Sequence, residues 1–418
     1  MSTQRPWPLA AVPILVVLIL PSAQSAVPAG HARQHPNTGT GPSTGGQAAQ
    51  QQPDDRSASQ PPRQATSPSP RPPAEITVLA SGDVLLHNSL WSQAAADARA
   101  AGGTGYDFRP LFASVRSEVR SADLAICHLE TTVGQSQGPF SGYPRFIVPP
   151  QVVTALKDVG YDGCSTASNH SLDDGERGIR RTLSVMDAAG LAHAGTARSA
   201  AEQGRPTIVT VRGVKIAMLS YTFSFNGLRL PRGKPWLANH LRAAAVLDEA
   251  KRARAAGAEI VIVSAHWGTE YRQTPDTGQV QLARLLLGST EIDLVFGHHA
   301  HVVQPFERIG AKWVAYSLGN HVASQPQRET TRDGVMAKMT LRRQASGRWR
   351  VVVAKTIPTW MDLSGSGKPR AVRLVSIPSV LGDATAPAPL RRACLRSLRR
   401  TNAVLISRGA AAAGLVTS

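Results

Sequence analysis

The sequence predicts a layered α/β domain built on two β-sheets, and three observations lead to that fold class. Apolar runs of strand length recur along the chain, and each ends in polar residues. Stretches with helical periodicity separate several of these runs, which is typical of a mainly parallel sheet covered by helices. Paired apolar runs in the second half of the chain indicate additional antiparallel strands. With 418 residues, the chain is long enough for one large core or two small ones.

The predicted elements follow one another from residue 75 onward. The first buried strand covers residues 76–80 and leads into Ser81, Gly82 and Asp83. The later strand-like runs cover residues 123–130, 161–169, 259–266 and 293–301. The helix-like stretches cover residues 108–120, 179–189, 238–255 and 279–287. The antiparallel strands are expected at residues 207–221, 306–317, 334–343 and 349–356.

The amino-terminal residues have the pattern of a signal peptide. Arg5 precedes an apolar segment, residues 9–20, which is shorter than the roughly 20 residues of a membrane-spanning helix and contains Pro13. Small residues follow, so cleavage is expected after Ser25 or Ala26, and the predicted signal peptide covers residues 1–26. We therefore expect a secreted protein or one of the extracytoplasmic cell envelope. The alternative is an uncleaved membrane anchor.

Residues 27–74 are predicted to form a disordered linker. Between residues 28 and 73 there is no aromatic residue and no Ile, Leu or Met, while Pro, Gln, Ser, Gly and Thr dominate. Such a segment cannot bury enough apolar surface to offset the loss of chain entropy. The folded domain is predicted for residues 75–376 and a basic tail for residues 377–418.

The positive charge of the chain is concentrated near its carboxyl end. The formal net charge is +18, and residues 342–418 carry 14 Lys and Arg side chains but only two acids, Asp362 and Asp383. On an exported protein, this charge favours an anionic capsule or cell-wall polymer as partner, or an anionic membrane surface contacted by the tail. A merely solvated tail explains the charge equally well. No nucleic acid partner is expected, because export separates the protein from nucleic acids and no known binding module is present.

The three cysteines, Cys127, Cys164 and Cys394, lack the paired spacing of a zinc site or a disulfide framework. Cys127 and Cys164 fall in strand-like stretches, where small buried thiols are common. We interpret both as packing residues.

Metal-capable side chains follow five predicted strands. In α/β sheets, ligands gather at the carboxyl ends of the strands, so these side chains are expected to converge. A divalent metal binds carboxylates, amide oxygens and imidazoles, and a carboxylate such as Glu130 can bridge two ions. A single histidine beside a strand is usually structural, but this explanation would have to hold for five separate segments. The candidates are Asp83, Glu130, Asn169, His170, His266, His299 and His301.

Six short motifs follow one another along the chain: residues 82–86, 129–130, 169–170 with Asp173 and Gly175, 266–271, 297–301 with Gln304, and 316–320. This ordered series resembles the CapA, or poly-γ-glutamate biosynthesis, family, which is similar to calcineurin-like metallophosphatases. The resemblance extends from residue 76 to about residue 320, in the order of the family. One departure is His128, which stands where Asn is usual before the Leu-Glu pair.

This resemblance implies a four-layer α/β/β/α metallophosphoesterase-like sandwich with mixed sheets. It also implies one or two divalent metal ions, such as Mn, Fe, Zn or Mg, held by Asp83, Glu130, Asn169, His266, His299 and His301. His170 would not be a ligand and would instead stand near the leaving group, where it would donate a proton or stabilise charge. The residues expected to orient these groups or to contact substrate are Asp173, Glu270 and Asn320.

Two further histidines, each near a candidate ligand in the sequence, are interpreted differently. His87 lies four residues after Asp83 and is expected to line the pocket, with metal ligation as the alternative. His298 precedes His299 and is expected to point to the opposite side, because side chains alternate along an extended strand.

Two functions are compatible with these residues. The first is an exported metal-dependent, phosphoesterase-like hydrolase that takes part in the synthesis, export or trimming of a capsule or cell-wall polymer. The alternative is a non-catalytic component of the cell envelope that binds or exports the polymer. Loss of metal and activity together would favour the first, and polymer binding without turnover would favour the second.

Overall fold

The computed structural model describes residues 74–363 and 372–417. The predicted signal peptide and the predicted linker up to residue 73 lie outside these residues. Within the described ranges, no helix is both long enough and apolar enough to cross a membrane.

The helices alternate with strands through most of the described chain. In chain order they are α1 (Asn88–Ala100), α2 (Arg116–Arg120), α3 (Gln151–Val159), α4 (Gly175–Ala188), α5 (Ala200–Gln203), α6 (Ala243–Ala255), α7 (Thr277–Gly288), α8 (Ile377–Gly382) and α9 (Ala388–Leu405). Two 3₁₀ segments cover Arg109–Val115 and Glu329–Arg332.

The strands form two large sheets and one small pair. In chain order they are β1 (Glu75–Val84), β2 (Leu124–Leu129), β3 (Thr132–Val133), β4 (Ile147–Val148), β5 (Gly163–Ser165), β6 (Ala192–Ala194), β7 (Thr207–Val211), β8 (Val214–Thr222), β9 (Ile260–His266), β10 (Leu294–His298), β11 (Phe306–Ile309), β12 (Lys312–Ala315), β13 (Asn320–Val322), β14 (Asp333–Arg343), β15 (Trp349–Asp362), β16 (Arg373–Ser376) and β17 (Leu415–Thr417).

The first sheet has nine strands in the order β16-β15-β14-β1-β2-β5-β6, with β13 beside β1 and β17 beside β15. The second sheet has six strands in the order β11-β12-β10-β9-β8-β7, and β3 pairs with β4. β1, β2, β5 and β6 are parallel, as are β8, β9, β10 and β12. The predicted combination of parallel and antiparallel strands in two sheets is confirmed.

Three apolar cores separate the layers of the domain. Side chains alternate along β1, so Ile76 and Val78 pack between the two sheets while Leu79 packs on the other face, with residues of α1 and α3. On the far side of the second sheet, Val263 packs with residues of α6 and α7. Helix, sheet, sheet and helix therefore lie in that order, which confirms the predicted four-layer arrangement.

Two predicted helices differ from the expectation in how they begin. The predicted helix at residues 108–120 starts as a 3₁₀ segment containing Pro110. The predicted helix at residues 238–255 begins only at Ala243, because the preceding backbone pairs with other segments: Asn239 N donates to Gly195 O at 2.8 Å, and Leu241 N to Thr222 O at 2.7 Å. The sequence patterns do not predict α1 and α3.

A disulfide bond joins Cys127 and Cys164, which corrects the interpretation of both as packing residues. β2 and β5 are adjacent and parallel, and their register places these residues side by side with their Cα atoms 4.4 Å apart. The bond depends on strand pairing between residues 37 positions apart, which the spacing of the cysteines does not reveal. Cys394 is free and buried.

The described part of residues 377–418 folds against the first sheet. β17 pairs with β15, and Cys394 of α9 packs with Trp360. Arg400 donates to both carboxylate oxygens of buried Asp333, at 2.7 and 2.8 Å. Part of the basic charge of this segment therefore attaches α9 to the domain.

Candidate metal centre

The candidate metal centre lies where central strands of the two sheets end. Asp83 is near the end of β1, and His266 and His298 are the last residues of β9 and β10. The other candidates lie in the loops that follow β2, β5 and β10. The predicted ligands are all buried: Asp83, Glu130, Asn169, His266, His299 and His301.

Two glycines allow the backbone to pack closely beside the site. A β-carbon at Gly82 would overlap the carbonyl oxygen of Gly319, and one at Gly297 would overlap that of Tyr316. These glycines directly precede Asp83 and His298. The absence of a side chain is therefore what lets residues 316–319 pack against β1 and β10.

The carboxylate of Asp83 is held by the residues that follow β10. Its Oδ1 lies 3.0 Å from His298 Nδ1, and its Oδ2 accepts from the backbone N–H of His299 at 3.1 Å and lies 3.3 Å from His301 Nδ1. Burial disfavours the charged form, but hydrogen bonds from His298 and His301 outweigh it and hold the pKa of Asp83 well below its usual value. Asp83 is therefore anionic.

Glu130 is buried without a hydrogen-bond partner. Its Oε1 lies 3.8 Å from His301 Nε2 and 3.9 Å from His266 Nε2, and neither carboxylate oxygen has a hydrogen bond among the described residues. Burial raises the pKa of Glu130 well above its usual value, despite the opposing charge of His301. Ionisation of a buried carboxylate is costly unless a cation or a hydrogen-bond donor satisfies its oxygens.

His266 connects the two sheets through polar contacts. Its Nε2 lies 2.9 Å from Asn169 Oδ1, and its Nδ1 lies 3.0 Å from His128 Nε2. Asn169 Nδ2 in turn donates to Asn226 Oδ1 at 3.2 Å, which turns the amide oxygen of Asn169 toward His266. Burial and the neighbouring His299 hold the pKa of His266 well below its usual value, so its imidazole is neutral.

His299 and His301 both have left-handed backbone conformations, with φ of 87° and 55°. Such conformations are uncommon outside glycine and concentrate at functional sites. Burial opposes protonation of His301, but Glu130 and Asp83 outweigh it and raise its pKa to about 9. Burial and the charge of His301 lower the pKa of His299 to about 3. The predicted orienting residue Asn320 accepts from His301 Nδ1 at 3.0 Å.

His170 and Asp173 form a buried pair beside these ligands. His170 Nδ1 lies 2.7 Å from Asp173 Oδ2, which also accepts from the backbone N–H of Phe146 at 2.7 Å. The Phe146 ring meets the His170 ring edge to face at 4.8 Å and the His87 ring at 5.3 Å. Asp173 is thus placed to orient His170, and Phe146 contacts both His170 and His87.

Two histidines of the centre did not emerge from the motifs. His298 was expected to point away, but its ring contacts Asp83 and stacks on His128 at 4.0 Å. The expected alternation fails because the strand ends at His298 and the left-handed conformation of His299 turns the chain. For His128 a signal existed, since it lies two residues before Glu130 and hence on the same face of an extended chain.

Exposed aromatic side chains lie beside the ligands. The Phe223 ring is 4.8 Å from that of His299, and the Tyr271 ring is 6.2 Å from that of His301. The guanidinium of Arg328 lies 5.2 Å above the Tyr271 ring. Phe223 and Tyr271 are 40% and 39% exposed, so both offer apolar surface to solvent directly next to the buried histidines. We call Phe223, Tyr271 and Arg328 the rim.

The donor set fits a divalent metal ion. Ligand atoms of Asp83, Glu130 and His301 lie within 4.8 Å of one another, and so do those of Glu270, His299 and His301. Carboxylates with imidazoles suit Mn, Fe or Zn. The two unsatisfied oxygens of Glu130 are those that a cation would pair with. The centre could therefore hold one or two ions.

Residues 77–325 match the model of the bacterial capsule synthesis protein PGA_cap family. The PGA biosynthesis protein CapA of Bacillus subtilis is 32% identical over 203 residues, which are 48% of this chain and 52% of that protein. The capsule biosynthesis protein CapA of Bacillus anthracis is 29% identical over 195 residues, which are 46% of this chain and 47% of that protein. The chain thus spans about half the length of the curated relatives it matches.

Solved structures with a similar arrangement include the calcineurin-like phosphoesterase YfkN of Bacillus subtilis and the 5′-nucleotidase precursor of Thermus thermophilus. The first has a TM-score of 0.43 and 12% identity and covers 79% of this chain and 97% of its own. The second has a TM-score of 0.43 and 13% identity and covers 79% of this chain and 59% of its own. The family match, which covers more than half of the chain, confirms the resemblance to CapA, and the protein belongs to the bacterial capsule synthesis protein PGA_cap family.

Proposed function

We propose that this protein is an exported metal-dependent hydrolase that acts on an anionic capsule or cell-wall polymer, during its synthesis, export or trimming. The observation that carries the proposal is Glu130, a buried carboxylate that has no hydrogen bond from the described residues and lies within 4 Å of both His266 and His301. The names of the relatives, which concern capsule and PGA biosynthesis, support the choice of polymer.

The ligand residues are arranged to hold one or two cations. Asp83 supplies a fixed negative charge, while the neutral rings of His266 and His299 leave nitrogen lone pairs available. When bound, a divalent ion supplies Lewis-acid polarisation of the scissile phosphoester, ester or amide bond.

His170 is the proposed proton donor. Asp173 accepts from Nδ1 of His170 and holds the ring in one orientation. The proton given to the leaving group is then the Nε2 proton of a ring that is protonated on both nitrogens, and the ring is left neutral after the transfer. The buried position of both residues favours a directed transfer rather than exchange with solvent.

The rim supports an extended anionic substrate. Phe223 and Tyr271 provide flat apolar surfaces beside two different histidines, and Arg328 adds a positive charge above one of them. An arginine in this place suits a carboxylate or phosphate of the polymer.

Export is supported by the disulfide between Cys127 and Cys164, because structural disulfides persist mainly in oxidising compartments. Together with the pattern of residues 1–26, it favours an extracytoplasmic location in the cell envelope.

The test measures metal content and hydrolysis in the full-length protein and in the variant His299→Ala/His301→Ala. With manganese added, we expect bound metal and turnover of a generic phosphodiester or of poly-γ-glutamate, and loss of both in the variant. His193→Ala, whose ring contacts Asp187 and not the candidate metal centre, is the control and should retain both. Turnover that persists in a metal-free variant would refute the proposal.

A second candidate is a non-catalytic component that binds polymer or an anionic membrane surface. Arg392 and Arg399 of α9 are exposed, unlike Arg400, and so offer positive charge to a partner. Salt-dependent binding to poly-γ-glutamate or to phosphatidylglycerol vesicles, weakened in Arg392→Ala/Arg399→Ala and without turnover, would favour this candidate.

A further inference from the structure

We propose that His128 is a positioning residue that accepts the Nδ1 proton of His266 in the metal-binding arrangement, so that Nε2 of His266 is presented to the metal ion. The inference rests on the proposed metal centre but not on hydrolysis. It concerns a residue outside the predicted ligand set.

Three hydrogen-bonding groups form a buried chain behind the ligand His266. His128 Nε2 lies 3.0 Å from His266 Nδ1, and His128 Nδ1 lies 2.8 Å from Ser165 Oγ. Ser165 Oγ also lies 3.3 Å from the carbonyl oxygen of Cys127, to which it can donate. His128, His266 and Ser165 are at most 1% exposed, so solvent cannot exchange for any of these contacts.

The direction of donation along these hydrogen bonds decides which nitrogen of His266 is unprotonated. A neutral imidazole has one donor and one acceptor. If Ser165 donates to Cys127 O, it accepts from His128 Nδ1. His128 Nε2 then accepts from Nδ1 of His266, and a lone pair remains on Nε2 of His266.

That lone pair points at the atoms of the candidate metal centre. Nε2 of His266 lies 2.9 Å from Asn169 Oδ1 and 3.9 Å from Glu130 Oε1. Asn226 accepts from the amide nitrogen of Asn169, which keeps the oxygen on this side. Three electron-rich atoms therefore converge, and a cation is what satisfies them together.

The reverse direction of donation is also fully hydrogen-bonded, and it leaves Nε2 of His266 protonated and unable to bind a metal ion. In that order Ser165 donates to His128, His128 donates to His266, and Nε2 of His266 donates to Asn169. The hydrogen-bonded series from Ser165 through His128 to His266 thus has two proton arrangements. Only the first leaves a lone pair on Nε2 of His266 for a metal ion. The carbonyl of Cys127 matters because it gives the Ser165 hydroxyl a partner in the metal-binding arrangement. Histidine ligands generally depend on such a partner at their second nitrogen.

The variants separate the hydrogen bond from the shape of the side chain. His128→Phe retains a ring but has no acceptor for His266, whereas His128→Asn retains an acceptor. Ser165→Ala keeps His128 and removes only its fixed partner. Binding of Zn²⁺ and Mn²⁺ to the full-length protein is measured by calorimetric titration, folding is checked by thermal unfolding, and the tautomer of His266 is read from ¹⁵N chemical shifts of the Zn²⁺-loaded protein.

We expect His128→Phe to weaken metal binding about 10- to 100-fold, Ser165→Ala to weaken it less, and His128→Asn to recover most of the affinity. His266 should carry its proton on Nδ1 in the Zn²⁺-loaded wild type. If His128→Phe does not fold, the metal affinity of Ser165→Ala and the tautomer of His266 in the wild type still test the proposed role of His128.

Four outcomes would overturn the inference. They are unchanged affinity in a folded His128→Phe or in Ser165→Ala, a proton on Nε2 of His266 in the loaded protein, a wild type that binds no metal, and loss of one ion with the others unaffected. The last would make His128 itself a ligand, in the group that it forms with Asp83 and His266. Metal binding as expected without hydrolysis would refute the proposed enzyme and leave the role of His128 intact.

Discussion

The backbone N–H of His299 donates a hydrogen bond to Oδ2 of Asp83 at 3.1 Å, across 216 positions of the chain. His298 contacts the other carboxylate oxygen at 3.0 Å. The carboxylate of the first sheet thereby holds a loop of the second sheet whose backbone is left-handed at His299. Asp83 consequently has two roles, as a predicted ligand and as an anchor for the loop that carries two others.

Asp83→Asn should destabilise the fold more than His299→Asn does, although both variants should lose metal. The amide introduced by Asp83→Asn replaces one acceptor by a donor, so we expect the free energy of unfolding to fall by about 2–3 kcal/mol, as for hydrogen bonds to a charged group. His299→Asn keeps the backbone N–H, and Asn tolerates the left-handed conformation, so its loss should stay within about 1 kcal/mol. Urea denaturation of both variants in chelator measures the difference. Equal losses would contradict the anchoring role.

Removal of metal should reverse the order of stability between wild type and Glu130→Gln. With manganese present, the wild type should be more stable, because a ligand that binds only the folded state raises its stability. In chelator, burial raises the pKa of Glu130, so folding at neutral pH must either protonate this group or bury its charge. Glu130→Gln avoids that cost, so the variant should be at least as stable. Thermal unfolding with and without metal tests this crossing. A variant that remains less stable in both conditions would show that Glu130 has a structural partner.

Much of the centre followed from the sequence because strand ends converge. Asp83 and His266 could be placed since each closes a buried apolar run, and parallel strands bring such ends to one edge. His298 could not be placed, because the left-handed backbone after it depends on the contact with Asp83 rather than on local preference. The same limit applies to the disulfide between Cys127 and Cys164, which is set by the register of two strands.

Loss of Arg400 should destabilise the fold more than loss of its exposed neighbour Arg399. Arg400 pairs with Asp333, whose carboxylate is buried, whereas Arg399 is exposed. We expect Arg400→Ala to lower the free energy of unfolding by about 1–3 kcal/mol, less than for a fully buried pair because Arg400 is partly solvated. Arg399→Ala should stay within about 0.5 kcal/mol. Asp333→Asn should restore part of the loss in the double variant, and a strictly additive double variant would argue against the pairing.

Glu249 should make stability fall as pH rises. Burial raises its pKa, although Tyr221 donates a hydrogen bond to its carboxylate. The unfolded chain therefore releases this proton at lower pH than the folded protein, and stability is lost as pH rises from the unfolded pKa through the folded one. Glu249→Gln still accepts from Tyr221 and cannot ionise, so it should gain stability over wild type at pH 7 relative to pH 4. The exposed Asp248→Asn is the control, and an equal gain in both variants would exclude burial as the cause.

The rim should act on substrate binding and not on the chemical step. Phe223 and Tyr271 contact the rings of His299 and His301 but offer their outer faces to solvent, where a polymer can lie. For Phe223→Ala and Tyr271→Ala we expect KM to rise about three- to tenfold with kcat nearly unchanged, which corresponds to about 0.5–1.5 kcal/mol of aromatic contact. Leu285→Ala, at an apolar residue of α7 that is 50% exposed, should change neither parameter. Arg328→Ala should raise KM for an anionic polymer more than for its esterified, neutral form. A fall in kcat at constant KM would instead assign the aromatic rings to the chemical step, because they would then act only in the transition state.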